Sequence, residues 1–205
     1  MSINVRKAVE ADRLNIALCI AKAFHKEFSE LSKDSFVIAK AIKDGLLIEK
    51  FFVAHTGEII AGTLAVTDST QRATDVNLMK LWENLGPIRG PNSFLKVLLS
   101  KPILKAEFES TLDYPKTTGY IEFVSVNEEF RGQRIASFML QEAINLTNYD
   151  EYALDVTDVN NVALKIYKKF GFQELKRVPV KMFKKQKGFN AKIYMIYKHG
   201  TKKGA

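Results

Sequence analysis

The run from Tyr120 to Tyr197 constrains the fold more than any other part of the 205-residue chain. Tyr120–Val126 reads as a strand, followed by a turn and a helical pattern from about Ile135 to Thr147. Tyr152–Val156 reads as a second strand. Asn160–Phe170 follows as a short helix stopped by Gly171, because glycine accepts the left-handed conformation that ends helices. Gln173–Phe183 and Lys192–Tyr197 close the pattern as an antiparallel pair of strands. Strand, helix, strand, helix and two strands point to an α/β (α+β) fold. The expected architecture is a mixed, mostly antiparallel central sheet with helices on both faces.

The first 67 residues fit the same sheet. Ile3–Ala8 reads as a short strand. From Asp12 to Phe28 the apolar residues recur at helical spacing, with Asp12 placed to cap the helix. Ser35–Leu47 reads as a second helix. Glu49–His55 and Glu58–Thr67 read as a β-hairpin around Thr56-Gly57.

Residues 68–118 break the pattern. Asp75–Leu85 and Phe94–Leu104 are apolar-rich helical segments separated by Gly86-Pro87 and Gly90-Pro91. They read as a helical insertion between strands 3 and 4 that caps or edges a cleft. Lys96, Lys101 and Lys105 also admit an amphipathic helix on a membrane surface. The cap is favoured, since most amphipathic helices bury their apolar face in their own domain. The whole chain, 1–205, is expected to form one domain with a basic tail over 198–205.

Lys and Arg number 31 against 23 Asp and Glu, a net charge of +8. The surplus favours anionic partners, but no basic motif interleaved with aromatics supports nucleic-acid binding. No apolar run reaches the roughly 18 residues of a membrane span, and the start lacks the apolar stretch of a signal peptide. Cys19, the single cysteine, reads as a small buried hydrophobe. These features are expected of a cytoplasmic protein without membrane or nucleic-acid partners. His25, His55 and His199 show no ligand spacing, so no metal site is expected.

Chemistry concentrates at the turn after the strand that ends at Val126. A strand–turn–helix leaves unpaired N–H groups at the helix start, and these suit a phosphate. Gly132 lets the backbone approach a ligand, Arg131 and Arg134 add charge, and Ser137 adds a hydroxyl. The turn alone is equally a plain structural connection. A second segment, Asn160 to Phe172, sets Ala163 and Tyr167 four apart on one helix face. By itself Tyr167 also fits a core residue.

Together the two segments resemble the GNAT family of N-acetyltransferases. Its pyrophosphate motif, approximately V-x-P-E-x-R-G-x-G-I-G/A, is matched by Val126 through Ala136. Its later signature, approximately N-x-x-A-x-x-x-Y-x-x-x-G-F, is matched by Asn160, Ala163, Tyr167, Gly171 and Phe172. Val5-Arg6-Lys7-Ala8 with Asp12 also looks like the family's first strand and helix start. The resemblance covers the C-terminal third well, the first 67 residues loosely and the insertion not at all.

The resemblance implies an enzyme that moves the acetyl group of acetyl-CoA to a primary amine of a small molecule or peptide by direct attack. A non-catalytic coenzyme A-binding module is the alternative. Backbone groups at Val124 and Val126 would bond the pantetheine, in a splay between the strand ending at Val126 and Tyr152–Val156. The amides of Arg131, Gly132, Gln133, Arg134, Ile135 and Ala136, with Ser137 beside them, would hold the pyrophosphate. Asn160 would reach the pantetheine and Tyr167 the sulfur, where it would protonate the departing thiolate. A homodimer is a family-level expectation.

Position 134 is Arg where the family has Gly. A residue with a Cβ is disfavoured at positive φ, so Arg134 is expected to stay in the right-handed helical region and offer its N–H. A lysine amine has a reference pKa of ~10.4 and arrives protonated, so a general base is useful. Glu122 is the candidate base, because strand alternation puts it on the face of Val124 and Val126. Tyr120 shares that parity. A structurally paired carboxylate is the equal reading of Glu122.

Overall fold

A computed structural model describes residues 2–28, 32–68, 70–75, 83, 114–179 and 188–199. Seven strands form one sheet: β1 (Asn4–Lys7), β2 (Phe51–Thr56), β3 (Ile59–Thr67), β4 (Thr118–Val126), β5 (Glu151–Thr157), β6 (Gln173–Pro179) and β7 (Ala191–Lys198). Their order is β1-β2-β3-β4-β5-β7-β6. β4 and β5 run parallel and every other neighbouring pair is antiparallel. The mixed, mostly antiparallel sheet expected from the sequence is therefore the observed one. The expected terminal pair is present, with β7 lying between β5 and the exposed edge strand β6.

Helices cover both faces. On one lie α1 (Arg13–Ala23), the short α2 (His25–Phe28) and α3 (Ser35–Ile42). Ile16, Ile20 and Ile38 pack there against Phe51, Val53 and Ala65. The opposite face carries α4 (Ile135–Leu146) and α5 (Asn161–Phe170). Here Met139, Leu140, Ile144 and Tyr167 meet Leu64, Ile121, Tyr152 and Leu154. Because β2 and β3 are covered on both sides, they are apolar at consecutive positions rather than alternate ones.

Local sequence sets the ends of these elements. Asp34 accepts from the Phe36 N–H at 2.8 Å and starts α3. Gly171, at φ +116°, ends α5. Asp12 departs from its expected capping role. Its carboxylate takes two bonds from Arg6, at 2.6 and 3.0 Å, and one from the Val9 N–H at 2.8 Å. It thereby ties β1 to the turn before α1 rather than capping α1 itself. The helix expected to run from Asp12 to Phe28 breaks at Phe24.

The middle of the sheet is irregular in a way that matters for function. Ala65 pairs with Glu122 and Thr63 with Ser125, so Leu64 alone faces both Phe123 and Val124. This is a β-bulge, and Phe123 stands in it at φ +54°. Beyond it β4 and β5 part. Their parallel pairing covers Thr118–Tyr120 against Glu151–Ala153, while both strands run on to Val126 and Thr157. Over that stretch β5 pairs with β7 alone. The sheet thus opens into the splay expected between β4 and β5.

Apart from Asp75 and Glu83, the expected helices at Asp75–Leu85 and Phe94–Leu104 lie outside the described residues. Among the described residues no helix is long and apolar enough to cross a membrane.

Gly62 sits where β3 meets the end of β4 under α4. A Cβ there would stand 2.7 Å from the Ser125 carbonyl oxygen and 3.0 Å from Met139 Cε. The backbone oxygen cannot move without disturbing the β3–β4 ladder. Gly62→Ala is expected to lower the unfolding free energy by about 1–3 kcal/mol, measured as a shift of the urea midpoint at constant slope.

Candidate active site

The end of β4 is held firmly. Asn127 donates its N–H to the Ala61 carbonyl at 2.8 Å and its side-chain amide to the Ile60 carbonyl at 2.7 Å. Because Asn127 N–H faces β3, strand alternation turns the N–H and C=O of Val126 the other way, toward the splay. Val124 has the same parity. Both side chains pack on the α4/α5 side of the sheet.

A 3-10 turn over Glu128–Phe130 follows. The Phe130 and Arg131 N–H groups bond the carbonyls of Asn127 and Glu128 at 3.0 and 3.1 Å. The Arg131 amide is therefore engaged, and what Arg131 offers is its exposed guanidinium, 3.3 Å from the Val126 carbonyl. From Gly132 to Ser137 no acceptor is found for the backbone N–H groups among the described residues. The first N–H bonded within the helix is that of Phe138, to the Arg134 carbonyl at 3.1 Å. Ile135 is buried and anchors the helix start, while Gly132, Gln133 and Arg134 are exposed.

Arg134 corrects the expectation. It stands at φ +60°, ψ +18°, in the left-handed region rather than the right-handed one, immediately before α4. Gly132 also has positive φ, at +79°. Left-handed residues interleaved with others turn successive N–H groups to one side, and such concavities bind anions. The helix dipole adds to the same effect. The unpaired amides, the exposed Arg131 and Arg134 side chains and the Ser137 hydroxyl fit a diphosphate.

The other residues singled out lie around the splay. Asn160 precedes α5, and its side-chain oxygen accepts from the Ala163 N–H at 3.1 Å, so that oxygen caps the helix. Tyr167 is buried among Val156, Val124 and Phe172, with its ring edge-on to Phe172 at 5.9 Å. No hydrogen-bond partner is found for its hydroxyl among the described residues. Burial pushes its pKa well above that of an ordinary tyrosine, so it holds its proton.

Glu122 does not share a face with Val124 and Val126. The bulge at Phe123 inserts one extra residue, so Glu122 falls on the α1/α3 side with its partner Ala65. It is buried, and its oxygens accept from Thr67 Oγ1 at 2.8 Å, the Ala73 N–H at 3.3 Å and Arg72 Nε at 3.1 Å. Arg72 Nη2 is also 3.1 Å away. Burial raises its pKa, and the Arg72 charge offsets part of that rise.

Tyr120, on the same face, donates its hydroxyl to Asp155 Oδ1. Lys192 Nζ lies 3.2 Å from Asp155 Oδ2. Sequence reasoning missed Arg72, Asp155 and Lys192. Asp155 had a legible signal, a lone carboxylate inside the apolar strand Tyr152–Val156. Cys19 is buried, which pushes its pKa up to about 12, and it takes no part.

Residues 94–172 match the model of the acetyltransferase (GNAT) family. The resemblance seen in the motifs is thereby shown, and the matched segment contains both of them. No curated protein matches the sequence.

Solved structures agree on the fold. An N-acetyltransferase from Staphylococcus aureus Mu50 superposes with a TM-score of 0.61 at 18% identity, covering 95% of this chain and all (100%) of that one. A GNAT-family acetyltransferase from Streptococcus agalactiae 2603 gives 0.56 at 15% identity over 96% of this chain and 95% of that one. A chain of the NatC complex bound to Gag peptide and CoA gives 0.54 at 17%, over 97% of this chain and 99% of that one. At these identities the likeness shows a shared GNAT fold.

The left-handed Arg134 is testable on its own. Its guanidinium has no partner among the described residues, and a side chain with a Cβ costs about 1–2 kcal/mol in this conformation. Arg134→Gly is expected to leave stability unchanged or raise it by up to about 1 kcal/mol. A loss in thermal or urea unfolding would show that position 134 does not adopt positive φ.

Proposed function

We propose that the protein transfers the acetyl group of acetyl-CoA to a primary amine of a small molecule or peptide by direct attack, with no covalent enzyme intermediate. The observation that carries this reading is the run of unpaired N–H groups from Gly132 to Ser137 at the start of α4, beside a splay that leaves Val126 free of β5. Bound there, acetyl-CoA supplies a thioester whose carbonyl carbon accepts the amine.

The residues of this chain have separate tasks. The amides of Gly132, Gln133, Arg134, Ile135 and Ala136 grip the diphosphate, with the Ser137 hydroxyl and the Arg131 and Arg134 guanidiniums in support. The Val124 and Val126 main chain bonds the pantetheine arm in the splay. The Val126 N–H stabilises negative charge on the reacting carbonyl oxygen. Asn160 keeps its amide nitrogen for the pantetheine while its oxygen caps α5. Tyr167, protonated and buried on α5, donates to the departing thiolate.

The acceptor follows from chemistry only as far as its class, an amine that reaches the thioester neutral. A cytoplasmic, homodimeric protein is consistent with this reading. The net charge of +8 is accounted for in part by the cations around the diphosphate site.

Calorimetry with coenzyme A and acetyl-CoA tests the cofactor site. Binding of both is expected, and Gly132→Glu is expected to abolish it, because a carboxylate at φ +79° is placed among amides meant for an anion. Wild-type affinity in that variant, or no binding in the parent, would sink the assignment. Tyr167→Phe is expected to lower turnover by about 10²–10⁴-fold with coenzyme A affinity nearly unchanged. An unaltered chemical step in single-turnover measurements would remove Tyr167 from proton transfer.

A further inference from the structure

The α1/α3 face of the sheet carries a polar group that the reading above leaves unused. Parallel pairing of β4 and β5 ends at Tyr120 and Ala153. The next residue on that face of β5 is Asp155, already on the splayed stretch. The Tyr120 hydroxyl reaches it, so this hydrogen bond bridges the two strands at the base of the opening. Lys192 holds the second oxygen of Asp155 from β7. The Arg72 guanidinium lies 4.6 Å above the Tyr120 ring, and the Tyr114 ring is 5.6 Å away. The Tyr114 hydroxyl is buried with no hydrogen-bond partner among the described residues.

We propose that Tyr120 accepts the proton of the incoming amine and passes its own proton to Asp155, making this pair the base of the transfer. The proposal rests on the acetyltransferase reading and names the residues that complete it. A hydroxyl has one hydrogen and two lone pairs. Asp155 fixes the hydrogen of Tyr120, so the oxygen presents lone pairs to anything else and acts toward an amine N–H as an acceptor. Glu122, on the same face, already receives four contacts from Thr67, Ala73 and Arg72. Asp155 is less enclosed, with 18% of its side chain exposed, and can return a proton to water.

The step balances. The amine nitrogen forms a bond to the acetyl carbon and the carbon–sulfur bond breaks. The thiolate takes a proton from Tyr167, which regains one from solvent as coenzyme A leaves. The nitrogen–hydrogen bond breaks as a new Tyr120 Oη–H bond forms, and the former Tyr120 proton passes to Asp155 Oδ1. Asp155 then releases it to solvent.

The charged and titratable groups around the pair come from each neighbouring element. Tyr114 precedes β4, and Glu122 lies on β4 itself. Arg72 follows β3, and β7 supplies Lys192 and Tyr194, the latter in register with Asp155. Burial keeps Tyr120 protonated, its pKa well above the ordinary value. The tyrosine therefore relays a proton and does not itself supply a stable anion.

The test uses the full chain, saturating acetyl-CoA and three probe amines of rising basicity: glycinamide, ethanolamine and n-butylamine. Asp155→Asn is expected to lower kcat by about 100-fold or more, with KM for acetyl-CoA unchanged. The loss is expected to be largest for n-butylamine, which sheds its proton least readily. Tyr120→Phe keeps the ring stack and removes the relay, so it should show the same pattern. The double variant should be no slower than the slower single one.

An equal loss for all three amines, or no loss, would each overturn the relay. If Asp155→Asn fails to melt cooperatively, Tyr120→Phe decides. Calorimetry with coenzyme A separates the two readings. A parent protein that binds coenzyme A yet acetylates none of the probes overturns the relay, whereas one that does not bind it overturns the acetyltransferase reading itself.

Discussion

A single bulged residue sets the geometry of the cleft. Phe123 adopts φ +54°, a left-handed conformation that costs a residue with a Cβ about 1–2 kcal/mol. The ring of Phe123 lies edge-on to Phe24 at 5.9 Å and stacked on Phe51 at 6.1 Å. These two ring contacts, each worth about 0.5–1.5 kcal/mol, oppose the strain. The clamp draws on α1 and β2, so the first third of the chain holds the shape of a site assembled from the last third. That is a physical reason for the loosely matched N-terminal region to be part of the same folding unit.

The bulge also divides labour between the faces of the sheet. Before it, Tyr120 and Glu122 point to the α1/α3 side, and after it Val124 and Val126 point to the α4/α5 side. Among the described residues the Val126 N–H has no strand partner on its β5 side and the carbonyl meets the Arg131 guanidinium instead, because β5 has turned its hydrogen bonds to β7. An extended arm threaded through the splay would therefore find backbone partners in the gap and apolar side chains on one face. Its reactive end would come near carboxylates and tyrosines on the other. The two substrates of a transfer reaction can then approach from opposite sides without competing for the same surface.

How much of this was legible in the sequence differs by element. The strands and helices after residue 118 were, because alternation, helical spacing and the Gly171 stop all act locally. The unpaired amides of the α4 turn were legible for the same reason, since they depend on nothing distant. The face of Glu122 was not legible. Strand parity predicts it only for a regular ladder, and nothing local in Glu122-Phe123-Val124 signals that Leu64 will face two residues. The partners of Glu122 were hidden too, because Arg72 and Thr67 reach it from about 50 residues away in sequence. Asn160 was read as the first residue of the helix and is its cap instead, because the capping bond depends on where α5 begins, which composition does not fix to the residue. Asp12 was read as a helix cap, and an arginine six residues earlier claimed its carboxylate instead.

Arg134 tells most about what the site is for. Among the described residues, Phe123 and Arg134 are the two non-glycine positions with positive φ, and both border the same cleft. Strain of about 1–3 kcal/mol persists where surrounding structure over-determines the backbone, and such positions cluster at functional sites. For Phe123 the over-determination is the aromatic clamp. For Arg134 no such packing exists, since its side chain is exposed. What fixes it is the chain on either side: Asn127 tied to β3 before it, and Ile135 buried at the head of α4 after it. The left-handed turn at Arg134 is the conformation that joins those two anchors and leaves the amides between them facing outward together. A glycine would serve that backbone at less cost. An arginine serves it and also puts a cation beside amides that already favour an anion, so the chain trades local stability for positive charge where a diphosphate would lie.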